Sequence, residues 1–528
     1  MFKVLIADEL PEEAGAILTS EPDIEVVTKT GLKGDDLKAA VADVDGLIVR
    51  SATKVTADVL AAARRLKAIA RAGVGVDNVD VDAASKRGII VMNTPGGNTI
   101  SAAEHTMALL LALSRNVPQA CSSLKAHNWE RSKFTGTQVD GKTLGIIGLG
   151  RIGAAVAERA CAFHMRVIGF DPYVSPEKAA EMHVELAASL EALLREADYI
   201  TLHVPRTAET KAMLGEAQFA LMKDGVRLIN CARGGIIDED ALYKALTSGK
   251  LAGAALDVFN DEPPTDWRLA DLPQVVCTPH LGASTEEAQL TVAREAAKQL
   301  ADALLGRGVR YAVNLPPIDP HLLETLQPYC TLAEKVGSME MQLLGGRIGK
   351  VQVTYLGDIA RLDTSVVTRY LLAGLLSPIL EETVNMVNAP LLAAQRGLAV
   401  QEAKNTRVQD YGSLILLQVQ TDAGERSIGG TIFGKAEPRI VLVDGYRVEA
   451  NPEGHLLVVY AEDRPGLIGS LGQLLGAEGV NIASMTFGRK SVGGEAIMIL
   501  NLDGGVSDAV LTRTRQVRFV RRAQVVEL

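Results

Sequence analysis

Short apolar runs alternate with longer amphipathic stretches along the first half of the chain. FKVLIAD, GLIVRS, KAIARAG and GIIVMN are nearly continuous apolar runs ended by Asp, Ser, Gly or Asn, and they predict strands buried on both faces. PEEAGAILTS and ADVLAAARRL, lying among them, carry apolar residues at helical spacing. Strands separated by helices predict a parallel sheet covered on both sides. SAAEHTMALLLALSRNVPQACSSLKA follows and predicts one long, well-buried helix.

At TLGIIGLG the pattern starts afresh. RVIGFDPY, YITLHVP, VRLINCAR, AGAALDVF and VVCTPH predict further strands, with helices such as LEALLREA and DEDALYKALTSG between them. TEEAQLTVAREAAKQLADALLGR predicts a late helix whose first residues, Thr285 and Glu286, suit a helix cap. A second α/β unit that begins only near residue 140 implies something ahead of it. The expected layout is a split outer domain (1–98 and 285–318) with an inner domain (99–284) inserted. The proline-rich VNLPPIDPH, 313–321, marks a boundary. Beyond it helices mix with strand-like KVQVTYLG, SLILLQVQT and RIVLVDGYRVEA, which predicts an α+β domain over 319–454. A compact strand–helix–strand–strand tail completes the chain over 455–528.

Composition narrows the class of protein. With 528 residues the chain exceeds one core, and a net charge of -10 argues against nucleic-acid or anionic-membrane partners. No apolar run reaches the ~20 residues of a membrane span, and the N-terminus carries no secretion-like pattern, so a cytoplasmic protein is expected. The five cysteines, Cys121, Cys161, Cys231, Cys277 and Cys330, have no metal or redox spacing and are expected to be reduced thiols. No metal site is expected.

Gly148, Gly150 and Gly153 follow the apolar strand LGII and open the helix RIGAAVAERA. Such a triplet alone is a weak signal, since a tight turn without ligand also uses glycine. In this context the first glycine makes the turn, the second admits a pyrophosphate and the third lets the helix pack. Asp171 ends the next strand, where a carboxylate accepts hydrogen bonds from ribose hydroxyls and repels a 2′-phosphate. The cofactor expected is therefore NAD.

Three polar residues end later strands: Arg233 after LINCA, Glu262 after LDVFND and His280 after VVCTP. Each alone has a bland reading, as a surface ion pair, an acidic turn or a core histidine. Together they suit hydride transfer on a 2-hydroxy acid. A guanidinium grips a carboxylate bidentately, an imidazole takes the hydroxyl proton, and a carboxylate fixes the imidazole's tautomer. His105, His164, His183 and His203 are given no proton-transfer role.

The segments LGIIGLGRIG, NCARGGIIDEDAL, AALDVFNDEPP and TPHLGASTEEA resemble the signature segments of the D-isomer-specific 2-hydroxyacid dehydrogenases. With the C-terminal extensions, the resemblance covers the whole chain and points to the long bacterial members of that family. It implies a Rossmann nucleotide domain inserted in a flavodoxin-like substrate domain, followed by two α+β regulatory domains. It implies NAD-dependent oxidation of 3-phospho-D-glycerate to 3-phosphooxypyruvate, the first committed step to L-serine, with feedback by L-serine. Arg233 would bind the substrate carboxylate, His280 would exchange the proton and Glu262 would support it. The family's NAD contacts fall on Arg151, Ile152, Asp171, Thr207, Cys231, Ala232, Arg233, Asp257, His280, Gly282 and Ala283.

A phosphorylated substrate needs local cations. Arg50 with Ser51, the stretch RAGVGVDN (71–78) and Asn98 are candidates, with Gly73 and Val74 offering backbone N–H groups to the carboxylate end. Arg131 and Lys133, in HNWERSKF, lie on a loop that in similar dehydrogenases reaches a neighbour's cleft, so a homo-oligomer, a tetramer, is expected. YAEDRPGLIGSLGQLLGAEGVNIASM resembles an ACT domain, which would place L-serine on Tyr460, Asp463 and Asn481. Lys435, Arg439 and Arg447 read as surface charges or an anion site. Two other readings stay open: a dehydrogenase for another hydroxy acid such as 2-hydroxyglutarate, and a non-catalytic NAD-sensing protein.

Overall fold

The computed structural model describes residues 1–316, 320–381, 383–407, 410–434 and 436–528, with only the backbone of 320, 321 and 324. Part of the proline-rich boundary, 317–319, and Lys435 lie outside the described residues. Four sheets organise the chain. The first holds five parallel strands in the order Ile24–Thr28, Phe2–Ile6, Gly46–Val49, Ala68–Arg71 and Ile90–Met92. The helix Glu286–Leu304 returns to this sheet: Gly46 leaves room for Leu300 and Leu304, against which any side chain there would clash.

The second sheet holds seven parallel strands in the order Val275–Cys277, Leu251–Leu256, Val226–Asn230, Tyr199–Leu202, Thr143–Ile147, Arg166–Phe170 and Glu185–Leu186. Thr143–Ile147 is buried throughout because helices cover both faces. The chain leaves it toward Arg166–Phe170 and comes back on its other side at Tyr199–Leu202. That reversal is a topological switch point, where such sheets bind ligands.

A six-stranded sheet spans Ile348–Gly357 to Tyr446–Ala450, antiparallel except where Ala399–Asn405 pairs in parallel with Ile348–Gly357. The last sheet is antiparallel, in the order Ile482–Arg489, Glu495–Leu502, His455–Glu462 and Val520–Glu527. With the helices Leu467–Ala477 and Asp508–Gln516 it forms a βαββαβ unit. The last two sheets share a core, in which Leu456, Val458, Ile497, Ile499 and Val526 of the tail pack with Leu332, Val336 and Val353. Among the described residues no helix is long and apolar enough to cross a membrane.

Two local readings of the sequence need correction. The long helix breaks at Asn116, in a left-handed conformation with φ 53°, into Thr99–Arg115 and Val117–Lys125. Pro118 starts the second piece well because its missing N–H is unneeded in a first turn. Ile24–Thr28 was not anticipated; it is an edge strand of mixed burial.

Candidate active site

The glycine triplet divides its labour as glycine chemistry requires. Gly148 has φ 94°, and a Cβ there would lie 2.7 Å from His203 O, across the switch point. A Cβ on Gly153 would sit 2.1 Å from Gly148 O, so the helix Arg151–Ala162 can approach only without one. Gly150, at that helix's N-cap, faces open space. A pyrophosphate fits there, with helix N–H groups and the dipole toward it. Arg151 and Ile152 open the helix.

Asp171 ends Arg166–Phe170. Its Oδ2 accepts from Leu149 N at 2.8 Å and its Oδ1 from Tyr173 N at 2.9 Å, so the carboxylate also braces the glycine turn. His203 lies in the same cleft, and burial drives its pKa down to about 4, which keeps it neutral. Thr207 caps a small turn, its N donating to Thr210 Oγ1 at 2.8 Å. Burial pushes the Cys231 thiol up to about 12, so it serves as an inert wall beside Ala232.

The polar trio gathers at the carboxyl ends of three neighbouring strands. Arg233 follows Val226–Asn230, and Asn230 Nδ2 holds its carbonyl at 3.0 Å. Gly234 lets that loop touch Phe259 O, where a Cβ would lie 1.8 Å away. Phe259 N in turn donates to Glu262 Oε1 at 3.2 Å, and Glu262 Oε2 lies 2.7 Å from His280 Nδ1. Burial is the largest influence on Glu262 and opposes its charge, but the bond to His280, the charge of that ring and the Phe259 N–H together outweigh it and hold the carboxyl below its ordinary value.

Asp257 builds the loop that carries His280. It is fully buried; Thr278 Oγ1 and Leu281 N donate to its Oδ1 at 2.6 and 2.7 Å, and Gly282 N donates to Oδ2 at 2.8 Å. His280 N donates to Asp257 O, and its φ of 56° is the strained conformation this wrapping imposes. Ala283 sits in the same turn, closed by Ser284 N to Leu281 O. His105 Nε2 reaches Asp257 Oδ1 at 3.1 Å, so a histidine given no role in proton transfer positions the loop.

The facing wall comes from the first sheet. Gly73 and Gly75 make space for two guanidinium groups: a Cβ on Gly73 would lie 1.6 Å from Arg71 Nη1, and one on Gly75 would lie 2.1 Å from Arg233 Nη2. Arg233 Nε donates to Asp77 Oδ2 at 3.2 Å across the cleft. Arg71 Nε is buried without a partner, and burial, with Arg233 beside it, lowers the Arg71 pKa to about 10. One carboxylate between two crowded guanidinium groups leaves positive charge for an anionic ligand. Within RAGVGVDN the sequence reading pointed to backbone N–H groups, yet Gly73 N is spent on Arg71 O at 2.9 Å. The stretch was expected to supply a local cation, and the Arg71 side chain is the group that carries that charge into the cleft.

Arg50 N donates to Asp8 Oδ2 and Arg50 O accepts from Asn78 Nδ2 at 2.9 Å, which fixes the loop that exposes Ser51. Val74 O accepts from Asn93 Nδ2 at 2.6 Å, and Asn98, preceding Thr99–Arg115, keeps a buried Oδ1 without a partner. Arg131 and Lys133 stand apart, on an exposed 3-10 turn where Lys133 pairs with Glu130. Among the described residues neither bonds a cleft residue of its own chain.

The three effector candidates do not converge within one chain. Asp463 Oδ2 accepts from Arg489 Nη1 at 2.7 Å and Gly493 N at 3.1 Å, before the helix Leu467–Ala477. Asn481 lies beyond its other end and donates to Asp503 Oδ2 at 2.6 Å. The Tyr460 hydroxyl is turned away from both, donating to Asp444 Oδ2 and accepting from Arg426 Nη2, each at 2.9 Å. Tyr460 thus joins the tail to the preceding domain. Arg439 and Arg447 pair with Glu437 and Asp410.

Comparison with known proteins accords with this geometry. Residues 107–282 match the NAD-binding domain of the D-isomer-specific 2-hydroxyacid dehydrogenases, 325–444 the D-3-phosphoglycerate dehydrogenase intervening domain, and 455–519 the ACT domain. The chain is similar to D-3-phosphoglycerate dehydrogenase of Methanocaldococcus jannaschii, 47% identical over all of both chains. The enzyme of that name from Bacillus subtilis is 43% identical, again over all of both. Among solved structures, D-lactate dehydrogenase of Aquifex aeolicus, complexed with NAD and lactic acid, superposes with a TM-score of 0.52 at 33% identity. That match covers 57% of this chain and 96% of the other. The domain that carries the switch point is thus an NAD-binding domain, and the chain belongs to the D-isomer-specific 2-hydroxyacid dehydrogenase family.

Proposed function

We propose that the chain oxidises 3-phospho-D-glycerate to 3-phosphooxypyruvate and is inhibited by L-serine at its ACT domain. The observation that carries the substrate is the pair of guanidinium groups at Gly73 and Gly75, in excess of the single Asp77 carboxylate. A substrate with a carboxylate and a phosphate brings the charge this wall lacks. Arg233 grips the carboxylate, while Arg50, Ser51 and Arg71 face the phosphate, with Asn98 and Val74 shaping the floor. The Gly148–Gly153 turn holds the pyrophosphate of NAD and Asp171 its ribose; when bound, NAD accepts the hydride from the substrate carbon. His280 takes the hydroxyl proton on its free ring nitrogen, because Nδ1 is committed to Glu262. Glu262 holds the ring in place and balances the charge it gains.

The helix Val117–Lys125 has no buried residue and Trp129 is 77% exposed, which supports a homo-oligomer, a tetramer, with Arg131 and Lys133 reaching a neighbour's cleft. Five free cysteines support a reducing, cytoplasmic setting. L-serine then lies between copies, with Asp463 of one and Asn481 of the other, which accounts for their separation within one chain. The test is a spectrophotometric assay of NADH formation with phosphoglycerate, with and without serine. Turnover with phosphoglycerate, inhibited by serine in the native chain and only weakly in Asn481→Ala, is expected. Absence of turnover defeats the substrate reading, and undiminished inhibition of the variant defeats the effector site.

A further inference from the structure

The outer domain and the intervening domain meet along a seam that the proposed reaction leaves unused. A cavity of about 760 Å³ opens there. One wall carries Arg64, Arg65 and Lys67, just before the strand Ala68–Arg71, and Lys86 and Arg87 at the end of the helix Val81–Lys86. The other wall carries Tyr370, Glu334 and the loop around Asn385 and Met386, and burial raises the Glu334 pKa, which disfavours its charge.

The charge on the first wall is largely unopposed. Arg65 is neutralised by Asp43 and Asp45, at 3.1 and 2.9 Å. Lys67 rests over the Phe2 ring, and Arg87 Nη2 donates to Ala63 O at 3.0 Å; neither contact cancels a charge. Arg64 and Lys86 have no carboxylate partner among the described residues. In a chain of net charge -10, cations gathered around one concavity focus a positive potential and draw small anions. Guanidinium and ammonium groups suit a phosphoryl group, while Tyr370 and Met386 offer apolar surface to an organic body.

The seam is also shaped for a fixed docking geometry. Asn385 Nδ2 donates to Gly88 O at 2.8 Å. The Asn385 loop is ordered beforehand, since Asn385 N donates to Asn388 Oδ1 at 2.8 Å and Asn388 Nδ2 to Thr383 O at 2.9 Å. Gly88 has φ +71°, and a Cβ there would lie 2.6 Å from Asn385 Nδ2. Lys67 and Arg71 flank opposite ends of one strand, about 13 Å apart at strand rise. The cavity and the catalytic cleft are therefore distinct places joined by one rigid element.

We propose that the seam cavity binds a small phosphorylated organic anion, which bridges the cationic wall to the intervening domain and fixes how the two domains sit. The proposal does not depend on which hydroxy acid the cleft oxidises. The test titrates glycerol 2-phosphate calorimetrically into the full chain, into Lys86→Gln/Arg87→Gln, and into the cleft variant Arg233→Gln. Hydrogen exchange of the loop Thr383–Asn388 is followed in parallel. Binding that survives in the cleft variant and weakens by roughly tenfold or more in the seam variant is expected, given the strength of hydrogen bonds to charged groups. Slower exchange of the loop on binding should accompany it in the native chain and in Arg233→Gln, and be weakened in the seam variant. No binding to the native chain, equal binding to all three, or loss only in Arg233→Gln overturns the site. Unchanged exchange on binding overturns the bridging role.

Discussion

The catalytic cleft and the junction between the last two domains use the same residue types to opposite ends. At the junction Arg426, 12% exposed, is enclosed by Asp444 at 3.0 Å, the Tyr460 hydroxyl at 2.9 Å and Glu340 at 3.7 Å. In the cleft Arg233 has one carboxylate partner, the exposed Asp77, beside the neutral Ala232 carbonyl, and Arg71 Nε has no partner. At the junction opposite charges offset one another, although Arg426 Nε and both Glu340 oxygens lack hydrogen-bond partners, whereas the cleft holds positive charge in excess. The carboxylates differ likewise. Glu262, bound to His280, sits below its ordinary value, while burial pushes Glu340 up to about 7. Unsatisfied charge around open space marks a place for a ligand; enclosed charge marks a joint.

Substitutions can break this contrast at either end. The largest effect belongs to His280→Asn, which removes the proton acceptor and should lower turnover by roughly 10²–10⁴-fold. NADH fluorescence should show the dinucleotide still bound; a variant with native turnover would remove His280 from the chemistry. Next, Asp171→Asn keeps an acceptor for Leu149 N but removes the charge that repels a 2′-phosphate. The ratio of NADP to NAD efficiency should rise by about tenfold, and an unchanged ratio would detach Asp171 from the ribose.

The smallest effect is at the joint. Because the Glu340 pKa is raised in the folded chain, the folded state holds the extra proton between the ordinary value of 4.5 and about 7. The stability tied to that proton is complete at low pH and is lost as pH rises through about 7. Glu340→Gln mimics the protonated form. Its melting temperature should match the native one near about pH 5 and exceed it near about pH 8, with catalysis unchanged. A variant less stable at the higher pH would mean that the ionised Glu340–Arg426 pair holds the joint.

Sequence was most legible where burial is complete and local. Thr143–Ile147 reads as a strand because every residue in it is covered, and the glycines after it obey short-range sterics. Ile24–Thr28 escaped because its burial is mixed, and the break at Asn116 because apolar spacing runs straight through it. Arg233, Glu262 and His280 could be grouped since each ends a strand of one parallel sheet, so topology alone carries them together. Nothing local reports that Tyr460 meets Asp444 and Arg426, or that Gly73 clears space for Arg71. Those are facts of tertiary approach, and the Tyr460 assignment to an effector came from resemblance alone.

Comparison of 3-phospho-D-glycerate with D-glycerate as substrates, in the native chain and in Arg71→Gln, tests the reserve of charge most directly. The native chain should favour the phosphorylated acid in kcat/KM by roughly 10²-fold, from one or two hydrogen bonds between charged groups, and Arg71→Gln should erase most of that preference. Equal efficiency on both acids in the native chain, or a preference that survives the substitution intact, would contradict a cleft built around surplus guanidinium charge.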